Sequence, residues 1–537
     1  MLTLQGTMQA IHKEFPALAG EEKGRVHTMR ISTETLKPIV ALLMSKHWRL
    51  LTMAGNDERA QAGTFTVSWV FGLAKENKIM RLVLPVDQHK PVFPSIFELT
   101  ESALLFELEI RDMFGLTPEG NPELTVEDDH GKGRMRRLAH HHNWPENTYP
   151  LRKDFPWNKR PPEVDVPFPF RYGEGEGVFE IPVGPIHAGV IEPGHFRFTA
   201  VGEMILNLEI RLWYSHRGIE KLFEQKNLTD AVVLAEHISG DTSFAHSLAF
   251  CEAAEELAGM PVSKRAGLLR IIFLELERIY NHVGDIGMIG LDAAFAFAGS
   301  NGSRLKELAM QLNDKLTGSR ILRGVNAIGG VTKDITGENA EFLEKFLASF
   351  EQDFEEFVNV LFSTSSLLDR LETTGRLKQK TAFDYNTVGV VARASGLKRD
   401  ARQDFPNEWW RHTHMSVPTF ETGDVFARFQ VRVEEVRQSV KIIRTTLAQL
   451  PEGEPILSTR PIALKEGDVA ISIVEGWRGE LVHMVIAGAN NSLYRVKVRD
   501  ASFLNWPTLS RAILNNIVPD FPICNKSYNM SYAGNDL

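Results

Sequence analysis

Three protonatable side chains lie within one short segment, GPIHAGVIEPGHF, at His187, Glu192 and His195. A histidine ring titrates near neutral pH, and burial can raise the pKa of a glutamate toward the same range. The segment could therefore donate protons to a substrate that is being reduced. The alternative is a turn in which the two histidines only hydrogen-bond backbone groups.

A second candidate segment, SGDTSFAH, spans residues 239–246. Asp241 could accept a proton there, and Thr242 adds a hydroxyl beside it. The alternative is structural, because Ser and Asp are favoured immediately before a helix and in its first turn. In that case Ser239 or Asp241 caps the helix that contains FAHSLAFCEAAEE.

Two arginines are candidates for orienting an anionic or carbonyl ligand, Arg393 and Arg478. For Arg393 a buried ion pair with Asp400 or Glu480 is an equal alternative. Glu275, Glu277 and Arg278 share one helical segment. They could belong to a charge path, although a set of salt bridges is the default explanation.

Metal chemistry is restricted by the cysteine count, which is two, at Cys251 and Cys524. Two distant thiols cannot supply a four-thiolate iron–sulfur or zinc site, and we expect them to be unpaired. His130 and the run 140–142 do not predict a zinc site, since consecutive side chains cannot all face one ion. We therefore expect no metal in this chain, and any redox centre must come from a partner or use other ligands.

Composition and charge describe a soluble globular chain of two to four domains: 537 residues, 43% apolar and 24% charged. A net charge of −9 argues against nucleic-acid binding, which requires a clustered basic excess. The best candidate for a membrane helix, 286–299, is too short and contains Asp292. The first residues lack the basic start and apolar core of a secretory signal.

Hydropathy patterns predict an α+β fold whose small N-terminal domain is mixed α/β. Alternating apolar residues predict a β-hairpin from 64–74 and 79–86, and 95–115 is predicted to be helical. Five prolines between 145 and 162 indicate an extended connector. The predicted boundaries are a domain at 1–157, a proline-rich linker at 158–180 and a second domain at 181–537.

The second domain is predicted to be a large helical bundle flanked by β-structure. A strand, a turn and a strand open it, and helices dominate 216–380, including the bundle helix 264–290. A further long helix is predicted at 423–450. Residues 468–502 return to period-two alternation around an Asn-Asn pair, which predicts a β-hairpin.

The first domain resembles the small hydrophilic subunit of complex I that docks beside the quinone site. The resemblance is carried by Glu107, Glu109, Arg111, Asp112 and Gly115, and by the stretch YPLRKDFP at 149–156. This stretch and its spacing from the charged helix make the match specific.

From residue 181 onward the chain is similar to the quinone-site subunit of complex I and to the large subunit of energy-converting [NiFe] hydrogenases. The matching stretches keep the family's order: GPIH (184–187), HRGIEK (216–221), SFAH (243–246), ELER (275–278), IGGV (328–331), RASG (393–396), GDVF (423–426), SVKII (439–443), RGE (478–480) and YRVKVR (494–499). The fusion of both domains is most like formate-hydrogenlyase-type large subunits, although some complex I enzymes share it. In relatives, the stretches of Arg393 and Arg478 line the cavity.

The resemblance also implies that the metal site of the hydrogenases is lost. Ser239 and Thr242 stand at the positions of the first cysteine pair, and Ser531 and Gly534 at those of the second. Hydroxyls are poor ligands for nickel, and glycine has no side chain. The quinone tyrosine of complex I aligns with Gly240, which supplies neither a ring nor a hydroxyl.

What the resemblance implies is a core subunit of a membrane-associated, redox-driven ion pump at the cytoplasmic face of the plasma membrane. The related functions include NADH dehydrogenase, NAD binding, electron transport and proton translocation. Electrons would come from an iron–sulfur cluster in a small-subunit-like partner and pass to a quinone or another small acceptor. Ferredoxin-like and antiporter-like membrane subunits would complete the assembly. The alternatives are a non-catalytic coupling scaffold and an active [NiFe] hydrogenase, which the lost cysteines disfavour.

Overall fold

A computed structural model describes residues 3–127, 133–138, 144–156, 158–164, 170, 173–187 and 191–537. The candidate zinc histidines, His130 and 140–142, lie outside these ranges. Within the predicted linker, 158–180, residues 165–169 and 171–172 also lie outside them. The fold mixes helices and strands, with an α/β N-terminal region followed by a largely helical region, which confirms the predicted α+β class.

The N-terminal region is built on a five-stranded sheet of order β1-β2-β5-β4-β3. β4 and β5 pair antiparallel, as predicted, and β2 joins β5 in parallel. Apolar residues on these strands pack against the helices. The elements are α1 Leu4–Glu14, β1 Gly20–Lys23, β2 Val26–Arg30, α2 Thr33–Ser45, β3 Arg49–Glu58, α3 Arg59–Ala62, β4 Thr64–Leu73, β5 Lys78–Asp87, β6 Val92–Pro94, α4 Ala103–Phe114, β7 Thr117–Glu119, β8 Thr125–Glu127 and β9 Gly133–Met135.

The predicted helix 95–115 is shorter in the structure, where α4 begins at Ala103. The preceding residues fold back onto it instead of extending it. The Ser95 hydroxyl and the Ile96 backbone N–H both donate to the buried Glu107 carboxylate, at 2.7 and 2.8 Å. These two contacts hold residues 95 and 96 against α4, so the helix starts later than the apolar periodicity predicted.

The second region begins with the sheet β10-β11-β12, continues through a helical bundle to the meander β15-β16-β17, and ends with three helices. Its first elements are β10 Val178–Val183, β11 His195–Val201, β12 Met204–Arg211, α5 Ile219–Phe223, α6 Leu228–Ala235, α7 Ser243–Ala258, α8 Lys264–Asp292, α9 Ala296–Thr317, β13 Asn326–Ala327, β14 Gly330–Val331, α10 Gly337–Ser363, α11 Ser365–Leu371 and α12 Gln379–Asp384. The remaining elements are α13 Gly389–Ala394, α14 Ala401–Asp404, α15 Val425–Leu447, β15 Val469–Gly476, β16 Gly479–Ala487, β17 Leu493–Arg499, α16 Ala501–Ala512, α17 Phe521–Tyr528 and α18 Tyr532–Asp536.

The long helices match their predictions because both have apolar periodicity and a clear start. α8 begins after Ser263, whose hydroxyl accepts from the Ala266 N–H, and α15 begins after Asp424, which accepts from the Ala427 N–H. α8 packs along α9 and α15, so almost every position of its first seven turns is buried.

The predicted C-terminal hairpin is part of a three-stranded meander. Asn490 and Asn491 join β16 to β17 with positive φ angles of 54° and 58°, as an Asn-Asn turn should. A second, tighter turn at Trp477 and Arg478 joins β15 to β16. The sequence did not single it out, because neither residue is a usual turn former.

The two regions share one apolar core, which includes residues from Ile11 through Tyr532. Buried ion pairs add to it: Lys497 on β17 contacts Glu109 on α4 at 2.6 Å and Glu220 on α5 at 3.2 Å. Arg49 on β3 pairs with Glu480 on β16. In the part of the chain that the structure describes, no helix is long and apolar enough to cross a bilayer.

Candidate functional site

The loop between α6 and α7 carries Ser239, Asp241 and Thr242. The hydroxyls of Ser239 and Thr242 both donate to one oxygen of the Asp241 carboxylate, at 2.9 and 3.0 Å. The Asp241 side chain remains 40% exposed, so its carboxylate is oriented by the loop and open to solvent.

Arg478, in the turn between β15 and β16, forms a two-pronged ion pair with Asp241. Its two terminal nitrogens donate to the two carboxylate oxygens, each at 2.6 Å. The neighbouring Trp477 indole donates to the Asp241 carbonyl at 3.0 Å. Burial opposes ionisation, but Arg478 outweighs it and holds the pKa of Asp241 well below its usual range. Asp241 is therefore an anion at neutral pH, and a weak base while the pair is intact.

The turn that presents Arg478 depends on close backbone contact with α13. Gly389 has a φ of +65°, and a Cβ there would lie 1.9 Å from the Arg478 carbonyl oxygen. Gly479 faces Gly389 in turn, with a Cβ position 2.8 Å from the Gly389 Cα. Any side chain at either position would push the turn away from Asp241.

Ser239 and Ser531, both predicted at hydrogenase cysteine positions, meet although they are 292 positions apart in the chain. The hydroxyls of Ser239 and Ser531 are 2.9 Å apart. Ser531 also caps α18, since its hydroxyl accepts from the Gly534 N–H at 2.8 Å. The loop of Asp241 and the last helix are thus joined by a hydroxyl pair.

The donor set does not fit a [NiFe] centre, which needs four thiolates. The Thr242 hydroxyl already accepts from Arg478 and from Trp477, at 3.0 and 3.1 Å. At Gly534 a Cβ would lie 2.8 Å from the Asp500 carboxyl carbon, so that direction is filled. Among the described residues, no three His, Cys, Asp or Glu side chains are placed to hold a metal ion.

Of the three predicted proton donors in the 184–196 turn, Glu192 contacts the helix that contains the Ser531 cap, whereas the two histidines bond their own turn. Glu192 accepts from the backbone N–H groups of Tyr532 and Ala533, at 3.2 and 3.1 Å, at the start of α18. The rings of His187 and His195 instead bond the carbonyls of Gly194 and Gly184, at 2.7 and 3.3 Å. Burial lowers the pKa of His195. The histidine contacts are those of the structural alternative, and a proton role for these residues stays a prediction.

Glu277 on α8 was not predicted as a cap, yet it holds the start of α7. Its carboxylate accepts from the Phe244 and Ala245 N–H groups, at 2.7 and 3.2 Å. The expectation that Ser239 or Asp241 caps this helix is therefore wrong, because Asp241 is turned toward Arg478. Burial raises the pKa of Glu277 to about 8, although both hydrogen bonds act against the shift. No local pattern in α8 could reveal this long-range contact.

A buried chain of three polar side chains lies behind the loop, and the sequence motifs did not single it out. His246 contacts His483 at 3.1 Å on one side and the Asp500 carboxylate at 3.1 Å on the other. All three side chains are almost fully buried. The SFAH stretch was the available signal, since it contains His246. The contact with His246 holds the Asp500 carboxylate in place, and this carboxylate fills the space beside Gly534.

Arg393 lies in a buried charge cluster and does not contact the Asp241 group. It pairs with Glu435 at 2.7 Å, Glu475 at 2.8 Å and Asp400 at 3.4 Å. The predicted alternative partner Asp400 is thus present. Glu480 is not a partner, because it pairs with Arg49 and Arg499.

The same buried cluster includes Glu275 and Arg278 of α8, which form salt bridges there. Glu275 binds Arg278 on its own helix at 3.1 Å and Arg402 at 2.9 Å. Arg278 in turn donates to the carbonyls of Glu475 and Gly476, at 2.8 and 3.1 Å. These contacts anchor the end of β15, from which Arg478 projects.

Gly534→Ala is expected to destabilise the chain by about 1–3 kcal/mol, because the new methyl group must displace Asp500. Gly240→Ala is the matched control. The nearest atom to a Cβ there is Arg323 Nη2 at 3.6 Å, so we expect a change within about 0.5 kcal/mol. Urea denaturation of both variants measures the difference. Equal stability of the two would contradict the packing of Asp500 against Gly534.

Comparison with known proteins matches two family models to separate parts of the chain. Residues 29–161 match the model of the respiratory-chain NADH dehydrogenase 30 Kd subunit, and residues 298–469 match that of the 49 Kd subunit. The chain belongs to the family of fused 30 kDa and 49 kDa subunits of complex-I-like and hydrogenase-related membrane complexes. This confirms the family that the sequence motifs predicted.

Similar proteins include hydrogenase-related subunits and an NADH-quinone oxidoreductase subunit. Formate hydrogenlyase subunit 5 of Escherichia coli is 33% identical, over 99% of this chain and 93% of its own. Hydrogenase-4 component G of the same organism is 32% identical, over 99% and 92%. An NADH-quinone oxidoreductase subunit of Phocaeicola vulgatus is 27% identical, over 89% and 92%. A chain of the archaeal membrane-bound sulfane sulfur reductase shares the fold, with a TM-score of 0.64 at 24% identity, over 68% of this chain and all of that one.

Proposed function

We propose that this chain is the core hydrophilic subunit of a membrane-associated, redox-driven ion pump that reduces a small acceptor without nickel. A partner subunit's iron–sulfur cluster would supply the electrons. The acceptor, a quinone or another small molecule, would bind at the loop of Ser239, Asp241 and Thr242. Ferredoxin-like and antiporter-like membrane subunits would complete the assembly at the cytoplasmic face of the membrane.

The observation that carries the proposal is the Asp241–Arg478 ion pair beside Ser239 and Thr242, which the resemblance predicts at hydrogenase cysteine positions. Two hydroxyls and a two-pronged arginine hold the carboxylate, whose side chain is still 40% exposed. An acceptor that binds here meets the exposed Asp241 carboxylate, and the buried Arg478 guanidinium behind it offsets negative charge as the acceptor is reduced. Glu192, which accepts from the first two N–H groups of α18, is the predicted proton donor that contacts the helix of Ser531.

The test uses the assembly purified from membranes through a tag on this chain. We expect electron transfer from reduced methyl viologen to a water-soluble quinone and no stoichiometric nickel by elemental analysis. Arg478→Lys should lower the rate at least tenfold, because lysine cannot make the two-pronged pair. Asp353→Asn, which removes a surface partner of Arg304, is the control. An unchanged rate for Arg478→Lys, or about one nickel per chain, would refute the proposal.

A second candidate function is a non-catalytic scaffold that couples another electron donor to the pump. It is favoured by the contacts of His187 and His195 with their own turn and by the closed Asp241–Arg478 pair. The same preparation distinguishes the two. If the chain is a scaffold, the purified assembly should not reduce the quinone at this chain, and Arg478→Lys should not differ from the wild type.

A further inference from the structure

A cavity of about 860 Å³ lies between the loop that joins α11 to α12 and the segment that joins α16 to α17. The α11–α12 side contributes Arg376, Lys378 and Thr381, and the α16–α17 side contributes Arg511 and Asn515. The volume falls in the range of small-molecule sites. These residues are distinct from those of the proposed acceptor site, so the cavity is a separate candidate for binding.

The lining of this cavity is positively charged, although the chain as a whole carries a net charge of −9. Arg376, Lys378 and Arg511 contribute three cations, and Asp520 contributes a carboxylate. Asp520 is already neutralised, because Arg370 pairs with it at 3.2 Å. Three positive charges therefore remain around the cavity, and a cleft lined by one sign of charge concentrates ligands of the opposite sign.

The donors of these three cations are available to a ligand. Arg376 and Lys378 are exposed, and neither side chain forms an ion pair or a hydrogen bond within the described ranges of the chain. Arg511 donates to the neutral Tyr385 hydroxyl, at 3.3 and 3.4 Å, and pairs with no carboxylate among the described residues. Arginine and lysine bind phosphate groups through charge-assisted hydrogen bonds, so this set of donors favours a phosphate-bearing ligand.

The loop between α11 and α12, which carries two of the cations, is held in place from behind. The Thr373 N–H donates to the Asp424 carboxylate at 3.0 Å, and the Gly375 N–H donates to the Asn516 side-chain oxygen at 3.0 Å. Thr373 has a φ of +65°, which a β-branched residue rarely adopts. Such conformations persist where the surrounding structure enforces them, and they concentrate at ligand clamps and active sites. The two cations therefore extend from a fixed base.

We propose that this cavity binds a small soluble molecule that carries two phosphate groups. One phosphate group carries roughly −1.5 to −2 charges at neutral pH, so two groups balance three cations. The phosphates would lie between Arg511 on one side and Arg376 and Lys378 on the other. The rest of the cavity would hold the organic part of the ligand against the half-buried Leu514 and Ile517. Binding requires no electron transfer and would stabilise the folded chain.

The experiment compares ADP with AMP, which has one phosphate group fewer, by calorimetric titration of the full chain at constant ionic strength without divalent cations. We expect ADP to bind at least tenfold tighter, because hydrogen bonds to charged groups are the stronger class. Equal affinity of the two probes, or no binding of ADP, would overturn the proposal. Displacement of ADP by phosphatidic acid vesicles, but not by phosphatidylcholine vesicles, would overturn the assignment to a soluble ligand.

Two variants test the location. Lys378→Glu reverses one charge at an exposed side chain, and we expect it to weaken ADP binding at least tenfold. Lys345→Glu, at a side chain 80% exposed on α10, is the matched control and should leave the affinity unchanged. Thr381→Trp keeps every charge but fills the cavity from a half-buried position, and should also weaken ADP binding at least tenfold. Undiminished binding to either of the two variants, or an equal loss in Lys345→Glu, would overturn the site.

Discussion

Replacing Arg393 with methionine is expected to lower the free energy of unfolding by about 3–5 kcal/mol. The substitution keeps most of the side-chain volume but removes the cation that Glu435 and Glu475 share. Arg393 and Glu435 are at most 1% exposed, so water cannot replace the lost partner. Burial already raises the pKa of Glu475 to about 7, and without Arg393 it would rise further.

Arg437→Met is the matched control for this experiment. Arg437 also pairs with two carboxylates, Glu355 and Glu434, but its side chain is 36% exposed. Exposed pairs contribute about 1 kcal/mol or less, so the control should lose no more than that. Urea denaturation measures both. A loss below about 1 kcal/mol for Arg393→Met would mean that the cluster relaxes or hydrates, contrary to its burial.

Lys497→Met is expected to cost a similar amount, about 3–5 kcal/mol, and to loosen the contact between the two regions. Lys497 is 2% exposed and is the cation nearest to Glu109 on α4. Burial raises the pKa of Glu109 even in the intact protein, although Lys497 lowers it. Without Lys497 this carboxyl must be buried as an unpaired charge or take up a proton.

The pH dependence of Lys497→Met follows from the direction of that shift. A carboxyl whose folded pKa is raised stabilises the fold below its unfolded pKa and loses this stability as pH rises through the folded value. The deficit should therefore be larger at pH 8 than at pH 5, where Glu109 is more protonated. Lys345→Met, at a side chain 80% exposed, should show no such difference. Hydrogen exchange of α4 is a second readout, and an α4 as protected as in the wild type would refute the interface role.

The spacing of apolar residues along the chain correctly predicted strands and helices that are set by neighbouring residues. Alternation of apolar residues over 64–86 predicted β4 and β5, and the pattern of residues 423–450 predicted a long helix, which is α15. The start of α4 was wrong, because a carboxylate at Glu107 captures the chain at Ser95 and Ile96. The turn at Arg478 was missed, because it depends on the close approach of Gly479 to the distant Gly389.

The sequence by itself limited the metal chemistry of this chain. Two cysteines in 537 residues cannot supply four thiolates, wherever they fall in space. Only the tertiary structure decided what surrounds the positions that the resemblance predicts for the hydrogenase cysteines. Asp241 and Arg478 are 237 positions apart, and Ser239 and Ser531 are 292 apart. Such pairs form only when α7, the β15–β16 turn and α18 pack together, and no spacing along the chain encodes that packing.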